Sequence, residues 1–279
     1  MPGTNNQRDF YLCVTCGTQF AETAVPPERC PICLDERQYV GPDGQGWTTL
    51  AAMRDHGFKN TVSELEPNLI SIVTEPKFGI GQRAFIIRTP SGNVLWDCIS
   101  FLDEETVSAV KALGGLDKIA ISHPHYYSSM VEWSAAFGDA PIYLHAADRE
   151  WVQRPDARIQ FWEGATKSLF DGLTLVHSPG HFDGFQVLHW STGANGRGVL
   201  FAGDQPQVCA DPKWVSFMWS YPNYVPLGAA EVRRIVQTLE SHAFDRIYGA
   251  FSHSLVPANA KDVIRHSAER YLARIERAD

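Results

Sequence analysis

The sequence predicts an α/β protein in which sheets are covered by helices on their outer faces, preceded by a small cysteine-bearing module over 1–45. Three observations lead there. Two matched Cys-x-x-Cys knuckles stand in the first forty residues, short apolar runs alternate with turn signals from 68 to 204, and two helical repeats frame a last strand. A chain of 279 residues has room for about two domains. It also has room for a core that removes roughly three quarters of the unfolded surface from water. With 44% hydrophobic and 20% charged residues, the chain is globular rather than disordered. Its 24 basic and 32 acidic side chains leave a net charge of −8, which gives no electrostatic footprint for nucleic acid. No apolar run approaches the ~20 residues of a membrane helix, so no membrane partner is expected. The opening MPGTNNQRDF lacks a basic stretch followed by an apolar one. The expectation is therefore a chain without a secretory leader, located in the cytoplasm.

The first knuckle is Cys13-x-x-Cys16 and the second Cys30-x-x-Cys33, thirteen residues apart. Each pair grips one ion from a single tight turn, and two pairs supply a closed tetrahedral set of four sulfurs. Two disulfides are the competing explanation, but they suit an exported chain. A redox motif would be one CxxC opening a helix. Residues 10–40 resemble a zinc ribbon or rubredoxin-like module. Leu34 follows the second knuckle where rubredoxins commonly carry glycine, which favours zinc over iron. So short a module has too little core of its own, and zinc binding of order 10–16 kcal/mol supplies the difference. Cys98, at the end of an apolar run, reads as a buried inert thiol, and Cys209 has no evident role.

GPDGQGW (41–47) reads as a linker, and the second domain spans 46–279. Strands are expected at 68–74, 83–89 and 93–98, the last two joined by a hairpin turn at Pro90-Ser91-Gly92. A helix over 101–115 follows, with Val107, Val110 and Leu113 at helical spacing and a glycine pair as its stop. Then come a buried strand at 118–122, a helical stretch at 128–137 and a strand at 140–145. Strands at 173–178, 185–190 and 198–204 lead to a helix at 228–241, a strand at 245–250 and an amphipathic helix at 258–277.

Metal-type ligands stand at four strand ends. His123 and His125 follow strand 118–122, His181 sits at a Pro-Gly turn after 173–178, Asp204 ends 198–204, and His253 lies a few residues past 245–250. Strand ends are where a rigid scaffold presents ligands. IAISHPH, SPGH and FAGD, in that order, resemble the motifs of the metallo-β-lactamase superfamily over about residues 68–279. The resemblance implies an αββα sandwich and a hydrolase using one or two zinc ions. Carried over by motif, the ligands are His123, His125 and His181, with Asp204 matching the aspartate that usually bridges two metals. His253 is the candidate for the last family histidine, three residues late. The family's HxHxDH reads HPHYYS here, so Tyr127 replaces the aspartate and Ser128 the third histidine. A second ion therefore lacks ligands, while three histidines suffice for one catalytic zinc with an open position. Glu132 and Asp183 are nearby substitutes, read first as a solvated helix face and a turn carboxylate. Asp97 matches the structural aspartate that the superfamily places beneath its metals.

The function this implies is hydrolysis of an ester, thioester or lactone by zinc-bound hydroxide. Asp204 orients or relays the proton, and Tyr127 donates to the oxyanion. The aromatic stretch 214–224 suggests a small substrate that is apolar or aromatic. A homo-oligomer is compatible with the sequence, and no organic cofactor is implied. The alternative is a non-catalytic binding or scaffold protein that keeps the fold around a degenerate second metal site. An electron-transfer role is disfavoured by HPH, where flavodiiron proteins carry a glutamate.

Overall fold

A computed structural model describes residues 8–276. Residues 1–7 of the expected ribbon and residue 277 of the expected last helix lie outside the described residues. The ribbon begins with the strand Leu12–Cys13, turns through the first knuckle, and carries the second knuckle on the short helix Pro31–Leu34. Cys13 O accepts from the Gly17 amide at 2.8 Å, and Gly17 adopts φ +84°, so the glycine after Cys16 is what closes the knuckle. The stretch expected to be a linker ends in Trp47–Thr48, a strand that pairs antiparallel with Leu12–Cys13. Trp47 also meets Phe20 edge-on at 4.9 Å.

Two sheets follow. The first has seven strands in spatial order Lys59–Glu66, Leu69–Glu75, Ala84–Thr89, Gly92–Trp96, Lys118–Ala120, Ile142–His145 and Ile159–Trp162. Its first four strands run antiparallel and its last pairings are parallel. The second has six strands, Thr166–Phe170, Leu173–His177, Gln186–Trp190, Val199–Gly203, Arg246–Gly249 and Leu255–Val256. Only Val199–Gly203 and Arg246–Gly249 pair in parallel there.

Alternation along each strand sorts side chains into three apolar layers, because successive Cβ atoms point to opposite faces. Leu69, Phe85, Ile87, Val94 and Trp96 meet Leu173, Leu175, Leu188 and Phe201 between the sheets. Their neighbours Ile70, Ile86 and Leu95 face outward, under Val110 and Val131 of the helices Glu104–Ala112 and Met130–Ala136. Val187, Leu200 and Ile247 pack beneath Val232, Ile235 and Ile264 of the helices Ala229–Glu240 and Ala260–Ile275. The result is the αββα sandwich expected from the sequence.

Several bounds differ for physical reasons. The helix expected over 101–115 starts at Glu104, because the Asp103 carboxylate accepts from the Thr106 amide at 2.8 Å and caps it. The strand expected over 118–122 ends at Ala120, because the Ser122 amide turns to the Asp97 carboxylate at 2.8 Å. Further elements carried no expectation, among them the helix Leu50–Asp55, the edge strand Lys59–Glu66 and the strand Ile159–Trp162. No helix among the described residues is long and apolar enough to cross a membrane.

Candidate metal centre

Ligand-type side chains converge where the two sheets meet at one end. After the first sheet's strand Lys118–Ala120, His123 caps the one-turn helix Pro124–Tyr126 and His125 lies within it. His181 follows the second sheet's strand Leu173–His177, and Asp204 follows Val199–Gly203 directly. Gln186 ties the sheets at this end, its amide donating to Ser122 O at 2.9 Å and its side chain to Ile121 O at 2.7 Å. One ligand atom from each of His123, His125, His181 and Asp204 lies within 4.8 Å of the others, and all four residues are buried.

Three of the four ligands are braced from behind, whereas His125 Nε2 has no partner. Asp97, held at φ +56°, accepts from the Ser122 hydroxyl at 2.7 Å. That hydroxyl has spent its proton, so at 2.9 Å it accepts from His123 Nδ1–H and leaves Nε2 bare toward the cluster. His181 Nδ1 lies 2.7 Å from Trp219 O and must donate to it, which likewise bares Nε2. The His181 amide donates to Gln205 Oε1 at 2.5 Å, and a side chain at Gly180 would put its Cβ 2.5 Å from that same oxygen. Tyr126 donates to Asp204 Oδ2 at 3.1 Å, and Tyr221 donates to the Asp204 carbonyl.

The donor set fits a small divalent cation. His123 Nε2 and Asp204 Oδ1 are buried without a hydrogen-bond partner, a state that costs on the order of 1–3 kcal/mol each unless something polar fills the gap. His125 Nδ1 is 3.2 Å from His181 Nε2, and His123 Nε2 is 3.5 Å from Asp204 Oδ2. Donors about 2.0–2.1 Å from a tetrahedral ion stand roughly 3.3 Å apart, so both separations suit zinc. Burial keeps the imidazoles neutral, well below their usual range for His123 and His125 and down to about 4 for His181. Burial also pushes Asp204 up to about 7 against the pull of Tyr126. Neutral imidazoles are the form that binds metal, and a cation would draw the Asp204 proton off.

The ribbon set fits equally well. Cys13 and Cys33 sulfurs are 3.5 Å apart and those of Cys16 and Cys30 3.6 Å, with all four within 4.8 Å. A disulfide needs about 2.05 Å, whereas a tetrahedral ion with sulfurs at 2.3 Å spaces them roughly 3.8 Å apart.

The remaining candidates lie elsewhere. Tyr127 is buried, with its hydroxyl 3.5 Å from Asp148 O. The short helical turn Pro124–Tyr126 sends Tyr126, not Tyr127, to the cluster. His253 is exposed and stacks on Phe251, outside the four-residue group. Glu132 pairs with Arg154 at 2.6 Å, and Asp183 is exposed. The motif spacing carried no signal for Tyr126, Gln205 or Trp219, which act through turn geometry and tertiary contacts. The aromatic stretch 214–224 does reach the site through Trp219 and Tyr221. A cavity of about 280 Å³ opens beside His125 and Asp204, walled by Tyr221 and, from the ribbon, by Thr15, Gln38 and Tyr39.

Comparison with known proteins places this architecture. No family model matches the chain. The uncharacterized protein YmaE of Bacillus subtilis (strain 168) is 50% identical over 264 residues, spanning 94% of this chain and 96% of YmaE. Among solved structures, DIM-1 metallo-β-lactamase superposes with a TM-score of 0.57 at 14% identity, covering 76% of this chain and 98% of that one. A B3 metallo-β-lactamase with an active-site glutamic acid gives 0.53 at 14% identity, covering 83% and 97%. A Cronobacter sakazakii metallo-β-lactamase with a HARLDQ motif gives 0.52 at 15% identity, covering 77% and 92%.

This is a metallo-β-lactamase-fold protein of the YmaE family. In this YmaE-family chain the fold carries a four-cysteine cluster at its N-terminal end and a three-histidine, one-aspartate cluster at the junction of its sheets.

Proposed function

We propose that this YmaE-family protein is a metal-dependent hydrolase with one ion in the cleft, acting on an ester, thioester or lactone. The observation that carries the reading is the buried group His123, His125, His181 and Asp204, whose ligand atoms lie within 4.8 Å of one another beside a cavity. A divalent ion held there supplies an activated water at neutral pH and polarises a substrate carbonyl.

The chain's own residues would do the rest. Ser122 and the Trp219 carbonyl fix the imidazole tautomers. Asp204, with Oδ2 held by Tyr126, keeps Oδ1 to orient the nucleophile or take its proton. Tyr221, Ile80, Pro222 and Phe251 give the cavity an apolar side, and its volume suits a small acyl compound with an apolar or aromatic portion.

A single ion is supported by what the positions of a second one now do. Ser128 Oγ donates to Cys98 O at 3.2 Å and accepts from Gln82 at 3.1 Å. The Tyr127 hydroxyl is engaged at Asp148. Without a second ion to stabilise both attacking and leaving oxygens, carbonyl centres suit the site better than phosphodiesters. The test is a metal count with a panel of activated esters, thioesters and lactones. Two ions per chain are expected, one of which His123→Ala loses along with turnover. Equal rates in both proteins, or one ion per chain held by the ribbon alone, would remove the proposal and favour a scaffold.

A further inference from the structure

Arg37 stands four residues past the last ribbon cysteine and is buried, although a guanidinium is costly to remove from water unless it is paired. Its partners are specific. Nε and Nη2 form a two-point fork with Asp35 at 2.6 and 2.9 Å. Nη1 donates to the carbonyl of His181 at 3.2 Å. The plane lies over Phe182 at 3.8 Å and over Trp219 at 4.6 Å. These are the pieces that orient His181: its own carbonyl, the next residue, and the residue whose carbonyl takes its Nδ1 proton. The Asp35 carboxylate offsets part of the guanidinium charge, the remainder of which still acts on the three histidines.

On its other side Arg37 belongs to the knuckle. Cys30 O accepts from the Leu34 amide, Pro31 O from the Asp35 amide, and Asp35 Oδ1 from the Arg37 amide, at 3.1, 3.2 and 2.9 Å. Among the described residues, the ribbon's own core cluster buries only Phe20 and Ile32 besides its cysteines, too little to hold this turn in place without an ion among the cysteines.

We infer that Arg37 is a positioning residue through which the four-cysteine ribbon holds His181, so that filling the ribbon site tightens metal binding in the cleft. This rests on the cleft being a metal site, as proposed above. Linkage makes the coupling mutual. Groups one step behind a metal ligand typically change its affinity 10–100-fold, and about tenfold is expected here because Arg37 acts through a backbone carbonyl and ring packing.

Cobalt(II) bound to the full chain separates the two sites. Thiolates give intense near-ultraviolet charge-transfer bands together with visible bands, while a histidine–carboxylate site gives only weaker visible bands. Cleft affinity is read from the visible absorption that remains after the thiolate spectrum is subtracted, in competition with a chelator. Arg37→Met and Arg37→Lys, which lose the fork, are expected to weaken the cleft about tenfold and leave the thiolate bands intact. Asp35→Asn, which keeps the arginine but loosens the fork, serves if either variant folds poorly. Cys30→Ser is expected to weaken the cleft to a similar degree. Asn223→Ala removes hydrogen bonds to Glu36 O and Gln38 O without touching His181, and should stay within twofold of the parent. Parent-like affinity in the Arg37 and Asp35 variants, or an equal loss in Asn223→Ala, overturns the inference. A parent protein that takes no cobalt in the cleft overturns the metal-centre reading, and this inference with it.

Discussion

A carboxylate cut off from water either finds a cation or holds its proton to higher pH, and Asp148 is of the second kind. One oxygen accepts from the Gly184 amide at 2.7 Å and the other has no partner. Burial lifts its pKa to about 7, with Asp183 adding to the rise. Below pH ~4 both folded and unfolded chains hold the proton and nothing is contributed. Between about 4 and 7 the unfolded chain loses it and the native chain does not, so stability falls as pH rises, by roughly 1.4 kcal/mol per unit. Above 7 both are ionised and the loss is constant, on the order of 2–4 kcal/mol. Asp148→Asn keeps the acceptor and removes the titration. Denaturant midpoints from pH 5 to 8 should therefore fall less steeply in the variant than in the parent, and parallel curves would show that the carboxylate is already ionised. The same scale decides which of two neighbouring tyrosines reaches Asp204. The spacing HPHYY places two tyrosines after the histidines, and only the one-turn helix decides which hydroxyl meets Asp204.

Strands are where the sequence was most legible. Runs such as 84–87 and 199–203 are buried on both faces, so nearly every residue is apolar and the signal is dense. The edge strand Lys59–Glu66 is polar and mostly exposed, and Thr166–Phe170 borders the other sheet with four of its five residues only partly buried or exposed. Edge strands carry charge to avoid pairing with other chains, and the charge that protects them also hides them from a hydrophobic pattern. The motif histidines and Asp204 were legible because strand ends are fixed by such dense runs. Arg37 was not, since only tertiary contact shows that it is buried. Phe201 tests the layer logic. It lies between the sheets, 5.1 Å from Phe85 and 5.7 Å from Tyr248, three residues before Asp204. Phe201→Ala should cost about 3–5 kcal/mol by denaturant unfolding while the folded protein keeps its full metal content. A loss of the cleft ion at full foldedness would mean that the layer also sets the ligand geometry.

At the scale of the molecule, the ribbon is a wall laid over the open end of the sandwich. Ser100 Oγ donates to Gly17 O at 2.7 Å, the Gln19 amide donates to Ser128 O at 3.0 Å, and the Ala21 amide donates to Gln153 O at 3.1 Å. The three apolar layers of the sandwich close without ribbon cysteines, whose cluster is separate. The two parts should therefore differ in what holds them. The sheets rest on buried apolar area, whereas the ribbon depends on an ion worth of order 10–16 kcal/mol in such modules. Cys16→Ser breaks the four-sulfur set. Hydrogen exchange should then rise across residues 10–48 and in the arm 214–224 that the ribbon touches, while Ala84–Thr89 and Val199–Gly203 stay protected. If protection is lost across both sheets together, the ribbon is part of one cooperative core and not a wall added to a finished sandwich.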